Sequence, residues 1–528
     1  MATIVIDKFT GGLRSPDFTS RTQMDTTECE DALNVEFYPR GTVSQRKGYG
    51  AALVSRVGSG CTRLYKWKDA SNTDFQLGFT CLSGTGATAT SATVINISTN
   101  PYAATVILSA GSGGWNPAYD DSISCTSYLG SAATTYRDSL GAPIFWTGSG
   151  SAAAQSTMQS GCSIIQGWGN YLFIGNYQVG GIRNGSRLAW NSAMNVSSWP
   201  AASYIDLDPD DADEITAVEL LGDYLVIFKR KKIFIIYWVG GTLQFKEARR
   251  SATIGCVGPN AVVNLEGRLV FLSTEGVYSF DGTGVKEVSR KIRPLFQDLN
   301  PTYLHISEAF KYDLKRQIWF CVATGSSITK NKIYAWDYEL DNWTVFDIDC
   351  SATAYMTDAT TKTYADLDVY YYQETQTFDS YKIVGSDVII LGFLNGNIHE
   401  YGNASDDDGT AIASTWKSTW IDAGDPTFNK RILRLTLLLD RKSYGDLLLD
   451  LQEDWKNIPV DDSTQGWDGT QTIAMTGTST ADLLEKRIDK TRQARAFQIV
   501  LSGDSAGRPW TLHKIMMDVV PKGKTLVT

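Results

Sequence analysis

The chain has 528 residues, 43% hydrophobic and 20% charged, which is typical of globular proteins long enough to bury several cores. Its net charge of −10 argues against a protein that grips nucleic acid, because phosphate binding depends on Lys and Arg, but it does not exclude one past which DNA slides. No stretch resembles a membrane helix and Met1–Thr10 does not resemble a signal peptide, so we expect synthesis in the cytoplasm and no membrane span.

Residues 1–58 are predicted to form N-terminal strands and a docking segment. They contain a Gly-Gly turn in Phe9-Thr-Gly-Gly-Leu13 and an apolar strand in Ala32-Leu-Asn-Val35. A hairpin pattern follows, from Gly41 through Arg46 to Gly48.

Residues 59–157 are rich in Gly, Ser, Ala and Thr, and this composition differs from the rest of the chain. Short strands are predicted at Tyr102–Leu108, Ser122–Leu129 and Ala142–Trp146. Side chains this small do not fill the apolar core of a blade, so we expect this segment to form an inserted domain at the periphery of the fold.

Residues 158–404 repeat a short apolar strand followed by a turn and an aromatic-rich strand. Leu172, Leu225, Leu269 and Ile318 recur at spacings of about 53, 44 and 49 residues, which is typical of propeller blades. A single large β-sandwich is the alternative, but sandwich strands recur without such a superperiod. The aromatic-rich second strands are predicted at Lys232–Val239, Gly276–Phe280, Lys332–Tyr338 and Gly396–Tyr401.

Residues 405–528 follow the acidic turn Asp406-Asp-Asp-Gly409 and predict a C-terminal β-sandwich. Two hairpins are expected there, and the one helical window is Ala481–Thr491. The fold class predicted for the whole chain is therefore all-β: a β-propeller with an inserted Gly/Ser/Thr-rich domain and a C-terminal β-sandwich. The hairpin strands are predicted at Arg431–Asp440, Gly445–Leu451, Arg495–Ser502 and Trp510–Val519.

Several patterns resemble sites of chemistry but lack essential parts. Gly503-Asp-Ser-Ala-Gly507 matches a nucleophile elbow, yet it joins two predicted strands and only His513 follows it, so we interpret it as a hairpin turn. Asp206-Leu-Asp-Pro-Asp210 begins like a calcium loop, but Asp211 and Ala217 stand where that loop needs Gly and Glu. We interpret it, and Asp406–Asp408, as solvated acidic turns.

The remaining candidates are isolated. His305, His399 and His513 stand far apart, and the eight cysteines show no metal-binding spacing, so we expect reduced, mostly buried thiols. Asp223 and Asp281 are two carboxylates that a propeller glycosidase could use, although their spacing is no guide to their positions. We therefore predict no catalytic, metal-binding or cofactor-binding residues and no enzyme.

Lys229-Arg-Lys-Lys232 lies at a predicted hairpin turn between two apolar strands. The simpler interpretation is a charged turn that keeps the hairpin from pairing with other chains. The alternative is a contact with an acidic neighbouring subunit or with DNA phosphates.

The N-terminal patterns and the blade motifs together resemble tail nozzle proteins of short-tailed bacteriophages and related propellers that stabilise packaged DNA. The resemblance covers residues 161–355 well and residues 1–50 moderately. The blade motifs are Trp199-Pro200, Glu214-Ile-Thr-Ala217, Gly255-Cys-Val-Gly-Pro259, Glu275-Gly-Val-Tyr278, Phe280-Asp-Gly282 and Tyr334–Trp343.

The resemblance implies a structural protein of the virion that is synthesised in the host cytoplasm. Such a subunit forms a ring, with six copies expected, below the portal and its adaptor ring, and it carries tail fibres or spikes. Double-stranded DNA passes through the channel without specific binding, and no cofactor is implied. The alternative is a glycan-binding or glycan-degrading propeller used in receptor recognition.

Overall fold

The chain folds almost entirely into strands, which account for 57% of it against 4% for helix. The all-β prediction is therefore confirmed. The helical pieces are the short 3-10 segments Pro209–Asp211, Arg290–Asp298 and Leu304–Ile306. This computed structural model describes residues 2–15, 24–54, 60–81, 94–99, 103–109, 115–118, 120–241, 244–251, 253–357, 387–440, 446–456, 461–462, 467–474, 483–489, 491–503 and 509–524.

Within these ranges, six separate four-stranded antiparallel sheets and one four-stranded unit of a longer sheet form a β-propeller. The first strands of consecutive units contact one another, and the first strand of the seventh contacts that of the first. The ring is therefore closed, and we number its units blades 1 to 7 in chain order.

In most blades the sequence places its most apolar segments in the second and third strands, where both sheet faces are covered by neighbouring blades. The strands of blade 1 are Cys61–Lys68, Asp74–Thr80, Val94–Thr99 and Ala103–Leu108, and those of blade 2 are Ile123–Tyr128, Ser131–Tyr136, Ile144–Trp146 and Ala153–Ala154. Those of blade 3 are Ile164–Trp168, Tyr171–Val179, Ile182–Trp190 and Tyr204–Asp206, and those of blade 4 are Ile215–Leu221, Tyr224–Lys229, Ile233–Gly240 and Gln244–Ser251.

The last three blades follow the same pattern. The strands of blade 5 are Val262–Leu265, Arg268–Ser273, Gly276–Phe280 and Val285–Glu287, and those of blade 6 are Glu308–Tyr312, Gln317–Val322, Lys332–Asp337 and Asn342–Phe346. Blade 7 has Ala352–Thr357, Asp387–Gly392 and Ile398–Ala404, and its outermost strand is Gly48–Tyr49 from the N-terminal segment.

The predicted period is confirmed, because Leu172, Leu225, Leu269 and Ile318 all lie in second strands. The aromatic-rich strands predicted after them are third strands, and Trp336 and Trp343 are buried in blade 6 with ring centroids 5.9 Å apart.

The peripheral position expected for residues 59–157 is wrong. This segment supplies blades 1 and 2, although its three predicted strands are present. Its small hydroxyl side chains fill a blade interface because they bond to the next main chain: Thr135 Oγ1 donates to the carbonyl of Cys162 at 2.5 Å, and Thr126 Oγ1 accepts from Gly167 N at 2.9 Å. The same segment also contains a separate cluster of buried apolar side chains, which includes the large rings of Trp67, Trp115 and Trp146.

The predicted C-terminal sandwich is present, and strands from the N-terminal segment complete it. Its two sheets share one apolar cluster, which also joins them to blades 4, 5 and 6. One sheet contains Ala2–Ile6, Val35–Glu36, Val43–Gln45, Phe428–Asp440, Leu483–Ile488, Arg492–Ala494 and Thr511–Lys524. The other continues blade 6 outward through Glu28–Leu33, with Gly12–Leu13 beside it, then Ser414–Ser418, Phe497–Gly503, Asp446–Glu453 and Gln471–Ala474; Asp461–Asp462 and Trp467–Asp468 pair separately.

Two predictions for this region are wrong. The four main C-terminal strands are present, but Phe428–Asp440 and Asp446–Glu453 lie in opposite sheets, as do Phe497–Gly503 and Thr511–Lys524, so neither pair is a hairpin. The predicted helix at Ala481–Thr491 is instead the edge strand Leu483–Ile488, whose side chains alternate between exposed and half-buried. Pairing with Leu435–Asp440 supplies its backbone partners and overrides its helical propensity.

Candidate functional site

The N-terminal segment closes the propeller through a buried cluster that we call the clasp: Asn34, Arg46, Gly48 and Asp407. Arg46 is almost fully buried and donates to both carboxylate oxygens of Asp407, at 2.9 and 2.6 Å. Its Nε donates to Asn34 Oδ1 at 2.9 Å. A Cβ at Gly48 would lie 1.9 Å from the carbonyl oxygen of Asp406, so only glycine fits there.

The clasp unites motifs that the sequence separates by about 360 residues. Asn34, Arg46 and Gly48 belong to the N-terminal patterns, and Asp407 lies in the turn Asp406–Asp408, interpreted above as a solvated acidic turn. That turn is therefore not simply solvated. The pairing of Arg46 with Asp407 was not predicted, and no signal in a single sequence links them.

The central channel is closed at its upper mouth, which we define as the face carrying the turns between second and third strands. Asn260, before blade 5, donates to the carbonyl of Ile123 in blade 2 at 2.9 Å. His305, before blade 6, makes a hydrogen bond with the carbonyl of Asp120 before blade 2. These side chains reach the opposite side of the ring and leave two cavities of about 20 Å³ each, with room for one or two water molecules.

Below this mouth, a buried carboxylate joins three blades. Glu308 in blade 6 accepts from Arg63 of blade 1 at 2.6 Å and from Lys330 of its own blade at 2.9 Å. Thr353 of blade 7 donates to the same carboxylate at 3.1 Å. Burial alone would raise the pKa of Glu308, but the two cations lower it below its ordinary value. The arrangement neutralises the carboxylate and ties the ring together.

Asp121 also lies at the upper mouth, where burial raises its pKa from the ordinary 3.8 to about 7. Its Oδ2 accepts from Ala118 N at 2.7 Å, and the neighbouring charges of Asp120 and Asp138 raise the pKa further. Burial and the nearby Arg137 lower the pKa of His305. The mouth therefore contains a carboxyl, that of Asp121, which changes charge near neutral pH.

The acidic loop and the basic turn singled out in the sequence bind each other. The Nζ of Lys229 is fully buried and donates to Asp211 Oδ1 at 2.9 Å, to the carbonyl of Asp208 at 3.0 Å and to Ser186 Oγ at 3.0 Å. Lys232 pairs with Asp208 and Asp211 at 2.8 and 2.7 Å. Burial opposes ionisation of Asp211, yet the hydrogen bonds from both lysines lower its pKa to about 2.

The acidic loop is thus paired with ammonium groups of the same chain. Arg230 pairs with Glu214 at 3.2 Å, and of the four basic side chains only Lys231 makes no ion pair with a described residue. The basic turn is therefore largely neutralised by acidic groups of its own chain.

No hydrogen bond or ion pair links the remaining sequence candidates that the structure describes. Asp223 lies in an exposed turn of blade 4, whereas Asp281 in blade 5 accepts from Thr283 N and Gly284 N at 2.8 and 2.9 Å, and these bonds lower its pKa to about 2. His399 bonds to the carbonyl of Gly50 at 2.8 Å. His513 lies on the last strand, and residues 504–508 of the elbow-like motif lie outside the described residues.

Metal and thiol chemistry have no assembled site in the part of the chain described. No group of three or more His, Cys, Asp or Glu side chains there could hold a metal ion. The eight cysteines form no disulfide, and all but Cys125 are buried. No described helix is long and apolar enough to cross a membrane.

An aromatic cluster fills the interface between blades 3 and 4 and reaches the lower face. Phe245 is buried and contacts Trp168, Tyr171, Phe173, Trp190 and Trp238. Trp238 is 51% exposed, and its ring centroid lies 5.6 Å from that of Tyr171. The buried members form the packing of the interface, whereas the exposed Trp238 and the half-buried Tyr171 reach the surface.

Comparison with known proteins gives no family. No family model matches the chain, and no curated protein matches it. Among solved structures, it is similar to the computationally designed Ika8 protein at 12% identity and a TM-score of 0.36, covering 67% of this chain and 99% of that one.

Two natural proteins are equally distant. PorZ, a surface component of the type-IX secretion system of Porphyromonas gingivalis, is 12% identical with a TM-score of 0.35, over 69% of this chain and 44% of PorZ. The SapL1 lectin, solved with alpha methyl fucoside, is 13% identical with a TM-score of 0.31, over 56% of this chain and 92% of the lectin. Likenesses this weak carry no argument about function, and the fold rests on the strand pairing itself.

Proposed function

We propose that this chain is a structural subunit of a bacteriophage tail nozzle, forming a ring, of six copies, around the terminal DNA channel. The observation that carries this is the closed propeller axis, in which the side chains of Asn260 and His305 bond to main-chain carbonyls across the ring. The buried carboxylate of Glu308 is neutralised within the chain by Arg63 and Lys330. Such an interior suits a scaffold and offers no passage for DNA.

The conduit must therefore run between subunits around a shared axis. Asn260 and His305 close the upper mouth of the propeller channel, so duplex DNA has no path through it. A ring of identical subunits with head-to-tail contacts supplies a wider one. The net charge of −10 disfavours adhesion of DNA to its wall.

The clasp adds support to the resemblance on which the proposal also rests. Three residues of the N-terminal patterns, Asn34, Arg46 and Gly48, have specific roles in joining the sandwich to the propeller. In a ring subunit that must withstand force, these three residues would hold the sandwich against the propeller. The adaptor ring, the fibres or spikes and location in the virion are parts of the same proposal.

Deletion of the gene from the phage tests this function. We expect particles that package DNA but leak it, because the channel below the adaptor is open, and complementation in trans should restore retention. Particles that retain DNA normally and lose only attachment to cells would contradict the nozzle.

Glycan binding in receptor recognition is the second candidate, favoured by the exposed Trp238 beside the half-buried Tyr171. Sugar recognition also needs polar partners, and two acceptors beside these rings are already used. Gln244 accepts from Trp190, and the carbonyl of Asn170 accepts from Tyr128 and from Met194 N. A glycan array that compares the protein with Trp238→Ala tests this candidate.

A further inference from the structure

Three buried side-chain oxygens on neighbouring strands of the C-terminal sandwich have no hydrogen-bond donor among the described residues. They are Oδ1 of Asp450, Oε1 of Gln452 and Oε1 of Gln498. A buried acceptor that lacks both a donor and a cation costs free energy, and buried polar groups in folded proteins are therefore almost always satisfied. Three such acceptors in one place indicate that a ligand completes them.

Asp450 and Gln452 lie on the face of their strand that points away from the sandwich core. Side chains alternate along a strand, and Leu451 between them belongs to the core. The adjacent strand follows the same alternation, since Ile499 belongs to the core and Gln498 therefore points away from it. The three oxygens thus come from one face of two paired strands.

The strand pairing brings these side chains close together. Gln452 lies directly opposite Gln498, which places their Cβ atoms about 4.5–5.5 Å apart. Asp450 precedes Gln452 by two residues on the same face, which is about 7 Å along the strand. At these spacings, side chains of this length reach one small shared site.

The amide of Gln498 cannot be turned round to supply a donor at this site. Its Nε2 already donates to the carbonyl of Ser418 at 2.7 Å, so the unpartnered atom has to be the oxygen. Gln498 is fully buried and Gln452 is 7% exposed, so bulk water has little access to their oxygens. Thr419, next to Ser418, has a buried Oγ1 that also lacks a partner within the described residues.

The site combines oxygens of one carboxylate and two amides. Calcium accepts Asp carboxylates, Gln carbonyls and water in a flexible geometry, whereas magnesium demands a stricter octahedron. The lysine in the same row as Asp450 is Lys417, which lies two strands away and pairs with Glu30 at 3.7 Å. Lys417 therefore has its own carboxylate partner, and a bound cation is the simplest source of positive charge for Asp450.

We propose that Asp450, Gln452 and Gln498 bind a calcium ion on the face of the sandwich that points away from its core. The ion satisfies all three oxygens at once and joins two strands of the sheet that continues blade 6. The site differs from the clusters of three His, Cys, Asp or Glu side chains considered above, because two of its ligands are glutamines. It does not depend on the nozzle, since a calcium site needs no ring.

Calcium binding to the full chain tests the site. The protein is freed of metal with EDTA, and its melting temperature is measured in calcium or magnesium chloride at about 1 mM, a concentration that fills weak calcium sites. We expect calcium to raise the melting temperature by about 2–4 °C and magnesium to leave it unchanged. Terbium, which replaces calcium, should luminesce on tryptophan excitation, because Trp420 precedes Ile421, which pairs with the neighbour of Gln498, Phe497.

Substitutions locate the ion. Asp450→Asn should abolish both signals. Asp446→Asn is the matched control and should keep them, because Asp446 is exposed on the same face of the same strand. Gln452→Glu adds a second carboxylate and should tighten calcium binding about tenfold, which keeps the test decisive if Asp450→Asn does not fold.

Several results would overturn the site. A native protein without a calcium-specific rise in melting temperature is one, and equal loss of the signals in Asp450→Asn and Asp446→Asn is another. A Gln452→Glu protein that is destabilised at every calcium concentration would show that Gln452 donates its amide to Gln498, so that no ion is needed. A ring on the tail axis without a calcium response would retain the nozzle and reject the site, and a calcium response without a ring would do the reverse.

Discussion

At the scale of single residues, the internal cation Lys229 shows why short motifs mislead when read alone. The acidic loop and the basic turn were both visible in the sequence, one as an incomplete calcium loop and the other as a charged turn. Their pairing depends on how blades 3 and 4 pack, and a single sequence does not record it.

Replacing Lys229 with Met should destabilise the protein by about 1–3 kcal/mol, because Asp211 would keep only Lys232 as its partner and the carbonyl of Asp208 would lose its buried donor. Chemical denaturation followed by tryptophan fluorescence measures this. Lys231→Met in the same turn is the control and should change stability by less than about 0.5 kcal/mol. Equal effects of the two substitutions would show that the buried pair is not important.

Asp121 should make stability fall as pH rises from about 4 to 7. Its folded-state pKa, about 7, lies above the ordinary 3.8, so the folded chain binds more protons in that window and loses the advantage as the carboxyl ionises. Asp121→Asn should remove this decline, and the difference between the melting temperatures of the two proteins, measured from pH 4 to 8, isolates it. A pH-independent difference would contradict the assignment.

At the scale of elements, strands with strong apolar patterns were predictable and their partners were not. The second strands of blades 3 to 6 and the four main C-terminal strands follow from their apolar runs. The edge strand Leu483–Ile488 was missed, since its charged, helix-favouring residues become a strand only by pairing with a neighbour. Gly48–Tyr49 is too short for any pattern to reveal.

The clasp should control the opening of blade 7. Arg46→Met removes the buried partner of the half-buried Asp407 and of Asn34, and it should destabilise the protein by about 2–3 kcal/mol, with faster amide hydrogen exchange in Asp387–Gly392 and Ile398–Ala404. Exchange in Arg268–Ser273 of blade 5 should change less.

The neighbouring Lys47 is exposed, so Lys47→Met is the matched control and should leave exchange unchanged. Asp407→Asn is a milder variant should Arg46→Met fail to fold. Uniform acceleration across all blades would contradict a local clasp.

At the scale of the whole molecule, composition misplaced one segment. The Gly, Ser and Thr content of residues 59–157 suggested a peripheral insertion, yet the segment completes the ring. Small side chains can fill a blade interface when their hydroxyls bond to the adjacent backbone, and this compensation is invisible in composition. The extent of the propeller was therefore underestimated, while its class was predicted correctly.

We propose that DNA passes between copies of a closed propeller and not through it. Single-particle imaging of the assembled virion is the decisive measurement. We expect a ring of this chain on the tail axis, below the adaptor, with the lumen between subunits and each propeller axis closed by Asn260 and His305. Isolated copies at the tips of fibres, away from the axis, would contradict it and favour receptor recognition.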